Sequence, residues 1–200
     1  MASPTSRRLP AASKRTAAPK RTPRSAKTPP AVVLAAPAPA PAPASIGDQL
    51  AGAWLTNHRI NLYLIDKIPD AGLRATLSTR GGRDVAGQFV HLHNVRIWYL
   101  DRRARKLREN LQFIDPDKPP TRAQLKAAMT ASAEAIATYF RAFAAAEAGI
   151  RGMKRGPLQV LAYLIAHESH HRGNILLTLK QTGNNLDMAT RYKIWSWDSL

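Results

Sequence analysis

Apolar residues recur every three to four positions through four long stretches of the 200-residue chain, and no stretch shows the two-residue alternation of a half-buried strand. The first stretch opens at Ser45, which with Asp48 three residues on forms an S-x-x-D cap. Leu50, Trp54, Leu55, Ile60, Leu62, Leu64 and Ile65 follow at helical spacing, which predicts a helix over Ile46–Lys67 stopped by Pro69, Asp70 and Gly72. Beyond Gly81-Gly82 the pattern resumes over 83–107, until Asp115-Pro116 and Pro119-Pro120 interrupt it. Thr121 and Gln124 make a capping box ahead of an alanine-rich helix running to about Ala148. Gly149, Gly152 and Gly156 separate it from the last long stretch, where Pro157 suits a first helical turn and Gly183 a left-handed cap. Trp195 and Trp197 in the short segment that follows are expected to dock on the bundle as a lid. Four long amphipathic helices without strands predict an all-α four-helix bundle, an architecture whose metal sites form between facing helices.

The last stretch, GPLQVLAYLIAHESHHRGNILLTLKQTG, carries the most chemistry. On a 3.6-residue wheel Val160, Leu164, His167, His171, Ile175 and Thr178 share a stripe, predicting two imidazoles in the middle of an inward face. Ser169, Lys180 and the i,i+4 pair Glu168 and Arg172 occupy another side, and the pair is expected to be a solvated face from which Arg172 could attract an anionic substrate. His167 and His171 rise from adjacent turns with Cβ atoms roughly 6 Å apart, so two ring nitrogens can converge on one cation. Histidines at this spacing also occur as hydrogen-bonded core residues. A buried imidazole nitrogen without a partner costs about 1–3 kcal/mol, however, and a metal removes that cost. Neutral imidazole is the commonest protein ligand for zinc, nickel and related divalent ions, and the chain has no cysteine to offer as a softer one. The second helix offers His91 and His93, which cannot face the same way. His93 shares a side with Phe89, Ile97 and Leu100, and His91 with Gln88, Val95 and Trp98, so periodicity slightly favours His93 as the inward one. His170 lies about 100° around the helix from His171. His58, in TNHRINLYL, reads as a surface or boundary residue of the first helix. Gly173 inside a helix costs up to about 1 kcal/mol against alanine, and close helix contact is expected to explain it.

The formal net charge of +17 changes this picture little, because it is unevenly spread. Residues before Ile46 hold eight Lys/Arg and no acid, which leaves 22 basic against 13 acidic residues, a net +9, for the body. That first segment is rich in Ala, Pro, Ser and Thr, ends in an Ala-Pro tract and lacks aromatics, so residues 1–44 are expected to be a disordered basic tail able to bind nucleic acid non-specifically. Its apolar patch over 31–36 is too short for a secretory leader, and its prolines disfavour a transit-peptide helix. No apolar run approaches the ~20 residues of a membrane span, so a soluble, cytoplasmic protein without a membrane partner is expected. With 44% hydrophobic residues the chain supports one ordinary domain, placed at 45–200. Any thiol chemistry would draw on a small molecule, since the protein supplies no thiolate of its own.

The stretches GRDVAGQFVHLHNVR and HESHHRGN, with the ending IWSWDSL, resemble the DinB/YfiT-like superfamily of metalloenzymes from about Ser45 onward. The resemblance implies an up-down-down-up four-helix bundle with His91, His167 and His171 as metal ligands and zinc, nickel or manganese as the ion. His170, Asn174 and His93 are then expected beside the ligands rather than among them. The family often has HHRGQ, and Asn174 stands here in the place of that glutamine, retaining an amide of shorter reach. Some members are thiol S-transferases or mycothiol-dependent isomerases. The implied function is therefore metal-dependent transfer between a low-molecular-weight thiol and a small-molecule substrate, with metal-assisted hydrolysis second. Two other readings stay open: a nucleic-acid-associated protein whose bundle serves as a structural or homodimerisation module for the basic tail, and a metal-free bundle with hydrogen-bonded core histidines.

Overall fold

Local signals in the chain set where each long helix starts. A computed structural model describes residues 44–118 and 120–200; the tail expected over 1–44 lies, but for Ala44, outside them. Helix α1, Ile46–Lys67, begins where the Ser45 hydroxyl accepts from the Asp48 N–H, and a single turn, α2 at Asp70–Leu73, follows it. Helix α3, Val85–Arg103, is capped by Asp84, whose carboxylate accepts from Gly87 N at 2.6 Å. The helix expected over 83–107 is broken at Ala104, which leaves helical dihedrals and is buried, before the one-turn α4 at Arg105–Arg108. The break is tertiary in origin, because Arg151 N donates to the Arg103 carbonyl at 2.8 Å and the Arg103 side chain donates to Gly152 O at 3.1 Å.

The Thr121–Gln124 capping box is present and opens α5, Arg122–Ala144. This helix ends short of Ala148 because Ala146 turns left-handed and Glu147 N donates back to Ala142 O at 3.0 Å, a Schellman closure. Helix α6, Pro157–Gln181, has proline in its first turn and the expected left-handed Gly183 beyond its end. Helix α7, Met188–Lys193, and a short 3₁₀ turn complete the described chain. The tryptophan lid does not form: Trp195 is 75% exposed, while Ile194 and Leu200 make the apolar contacts and Arg59 holds the Leu200 carbonyl at 2.6 Å.

Cross-helix partners give the topology. Asp48 meets Arg141 and Asp66 meets Lys126, so α1 and α5 are antiparallel. Arg96 meets Met129 and Tyr99 meets Tyr139, so α3 and α5 are parallel. Asn57 bonds Glu168 and Asn61 bonds Arg172, so α1 and α6 are parallel, which completes an up-down-down-up bundle. Its apolar core is divided along the bundle axis. One cluster centres on Leu64, Phe89, Met129 and Ile175, the other on Trp54, Ile97, Phe140 and Leu164. Between them lies a buried polar layer drawn from all four long helices. Among the described residues no helix is long and apolar enough to cross a membrane.

Candidate metal centre

The polar layer is organised by Glu168 and Arg96, which are 2% and 1% exposed and form an ion pair with Nε to Oε1 at 2.7 Å. The other carboxylate oxygen accepts from Asn57 Nδ2 at 2.6 Å and Asn61 Nδ2 at 2.8 Å. Arg96 also donates to Met129 O and Ser132 Oγ, and its guanidinium lies 4.9 Å from the Trp54 ring centre. Arg172, also buried, donates to Asn61 Oδ1 at 3.2 Å and Ser169 Oγ at 2.7 Å. The expectation that Glu168 and Arg172 face solvent is therefore wrong. A carboxylate can be taken out of water here because a guanidinium and two amide donors replace its hydration.

The buried charges set the rotation of α6 about its own axis. Each histidine of the pair precedes a buried charged residue, His167 before Glu168 and His171 before Arg172, and one residue is about 100° around the helix. With Glu168 and Arg172 inside, the two imidazoles stand at the border between core and solvent, facing α3. There they meet His91, with ring centres 5.5 Å from His167 and 4.7 Å from His171, while His167 and His171 are 4.8 Å apart. One nitrogen from each ring lies within 4.8 Å of the other two. Burial is the main cause that lowers the pKa of all three, and the neighbouring His167 and His91 help bring His171 down to about 4. Arg83 contributes to the shifts of His91 and His171.

The chain matches the model of the DinB family over residues 43–197. The chain belongs to the DinB family. No curated protein and no solved structure matches it.

The DinB bundle resolves the choice in α3 by giving the two histidines different surroundings. His93 is the inward one, buried with Nε2 2.9 Å from the Gln112 carbonyl oxygen, whereas His91 faces α6 and joins the cluster. His170 is exposed, its ring centre 5.3 Å from that of His171, and Asn174 Nδ2 donates to its Nε2 at 3.1 Å. His58 is not a boundary residue; it is buried in the polar layer, with neither ring nitrogen hydrogen-bonded, and burial and Arg96 lower its pKa to about 3. Gly173 touches no neighbouring helix, since an added Cβ would meet nothing within 4 Å.

The three-histidine cluster of this DinB protein could hold a divalent metal ion. Nitrogens bound tetrahedrally at about 2.0–2.1 Å from a zinc ion stand roughly 3.3 Å apart, so small side-chain rotations from the 4.8 Å limit bring these donors into place. Their lowered pKa values keep the rings in the neutral, ligating form. Gln88 Oε1 stands 3.5 Å from His171 Nδ1, an acceptor on the side that leaves Nε2 for a metal. Sequence reasoning missed Gln88, Arg83 and the Arg96–Glu168 pair. The signal for the pair was Arg96 within the apolar row of Phe89, His93, Ile97 and Leu100.

Proposed function

We propose that this DinB protein is a metal-dependent enzyme in which His91, His167 and His171 hold zinc, nickel or manganese, and that it catalyses thiol S-transfer or, second, hydrolysis. The observation that carries this reading is the convergence of three uncharged imidazoles from two helices at a half-exposed rim. A closed structural site would use a fourth protein ligand; three leave a coordination position for a small molecule. A bound divalent ion supplies Lewis acidity, lowering the pKa of a water or thiol that shares its shell. The protein's own contribution is positional. Gln88 steadies His171, and the Arg96–Glu168 pair fixes the rotation of α6 on which His167 and His171 ride. Because the chain contains no cysteine, the thiol of a transfer reaction comes from a small molecule.

Elemental analysis of the purified protein, followed by calorimetric titration with zinc, nickel and manganese, tests the metal. The expected result is one ion per chain, lost in His91→Ala, His167→Ala and His171→Ala. Failure of all three metals to bind stoichiometrically would refute the reading. A screen of the loaded protein with small thiols and electrophilic acceptors then separates transfer from hydrolysis.

A further inference from the structure

His171, at one edge of the histidine cluster, lines a cleft of about 310 Å³. Its walls come from the segment before α3, where Leu77 is 46% exposed, and from α6, where Leu177 is 48% exposed, with Arg83, Gln88 and Asn174 between them. Among the described residues Arg83 has no ion-pair or hydrogen-bond partner, and its neighbour Asp84 is engaged in capping α3. No Asp or Glu lines the cleft, so a free guanidinium is its one formal charge. The volume sits at the lower end of the roughly 300–1,000 Å³ of small-molecule sites, which suits a compact metabolite.

We propose that this cleft is the substrate subsite of the histidine centre and selects small molecules that carry a carboxylate on a short apolar body. Arg83 holds the carboxylate, Leu77 and Leu177 flank the body, and the reactive end reaches the rim beside His171. Guanidinium matches the planar carboxylate in a two-pronged hydrogen bond, and the apolar walls favour a short alkyl chain over a sugar. The proposal rests on the metal-binding reading above.

The test uses cobalt(II)-loaded protein at fixed ionic strength and two probe thiols that differ only at the far end, 3-mercaptopropionate and 3-mercaptopropanol. Binding is read from the sulfur-to-cobalt absorption band. The wild type is expected to bind the carboxylate probe about two- to fivefold more tightly, the size of one exposed ion pair. Arg83→Gln should bring the ratio of the two affinities to about one, whatever it does to thiol binding in general, and Arg83→Lys should restore part of the preference. Equal binding of the two probes by the wild type, or an undiminished preference in Arg83→Gln, would overturn the subsite. A phosphate-ended thiol bound more tightly than the carboxylate would overturn the assignment of the anion. Absence of stoichiometric cobalt, seen before any thiol is added, overturns the metal reading itself and the subsite with it.

Discussion

Truncating Glu168 to alanine is the sharpest perturbation of the polar layer. The carboxylate accepts from Arg96, Asn57 and Asn61, and its removal leaves Arg96 charged, 1% exposed and without its counter-ion, with the buried Arg172 cation nearby. Breaking a buried ion pair by deleting one partner costs about 3–5 kcal/mol, because the surviving charge keeps its desolvation penalty. The two asparagine donors add to the loss, but water entering the vacated space offsets part of it, so the same range stands for the whole substitution. Against a typical total of about 5–15 kcal/mol this is a large fraction of the stability, equivalent to a fall in Tm of roughly 6–20 °C for a domain of this size. Urea unfolding of metal-free protein at pH 7.5 measures it. The double variant Arg96→Met, Glu168→Leu removes both charges and is expected to lose less than the sum of its single variants, with a coupling of at least about 2 kcal/mol. A loss below about 1 kcal/mol in Glu168→Ala, or additive single losses, would show that the pair neither bears the desolvation cost nor sets the packing of α6.

Four further outcomes are expected. His58, with a folded pKa near 3 against about 6.5 when unfolded, is protonated first in the unfolded chain, so its contribution is complete above about pH 6.5 and is lost as pH falls towards 3. Unfolding at pH 7 and pH 5 should differ by roughly 2 kcal/mol less in His58→Leu than in the wild type. Three ordinary imidazoles would lose about 50-fold in metal affinity between pH 7.5 and 6.0, and the lowered pKa values of His91, His167 and His171 should hold the calorimetric loss well below that. His91→Ala should abolish metal binding, whereas His93→Ala should keep it and instead lose about 1–3 kcal/mol in urea, since it strands the Gln112 carbonyl and empties buried space. A chain beginning at Ser45 should keep its thermal midpoint and lose most non-specific DNA affinity, because the removed segment holds eight basic residues and no acid.

The parts of the fold legible in the sequence were those set by neighbouring residues. Ser45, Thr121 with Gln124, Pro157 and Gly183 act within one helical turn, and each ends or starts a helix where its side chain or backbone freedom dictates. What stayed hidden was set by groups distant in the chain. The stop at Ala104 depends on Arg151 reaching the Arg103 carbonyl, and the place of the final segment depends on Ile194 and Leu200 finding the core while the larger tryptophans remain outside. Apolar area alone assigns tryptophan to the inside, but it says nothing about whether a six-residue helix with a capped start presents that ring inward.

The grouping of the three histidines was legible by resemblance and only half legible by periodicity, for one physical reason. A helical wheel sends charge outward, and that rule fails when charges on different helices neutralise one another. Glu168 and Arg172 on α6, Arg96 on α3 and Asn57 with Asn61 on α1 occupy positions that a wheel assigns to apolar residues or to solvent, and each is intelligible only with the others. Once they fill the interior, His167 and His171 are displaced by one residue's rotation to the rim, and His91 rather than the more apolar-facing His93 is the α3 histidine that meets them. The displacement bears directly on how the cluster meets solvent. Had the imidazoles taken the inward stripe, the cluster would lie inside the bundle, away from solvent. Because ionised groups hold the inside, the three histidines stand at the half-exposed rim, and His171 borders the cleft that Arg83 lines.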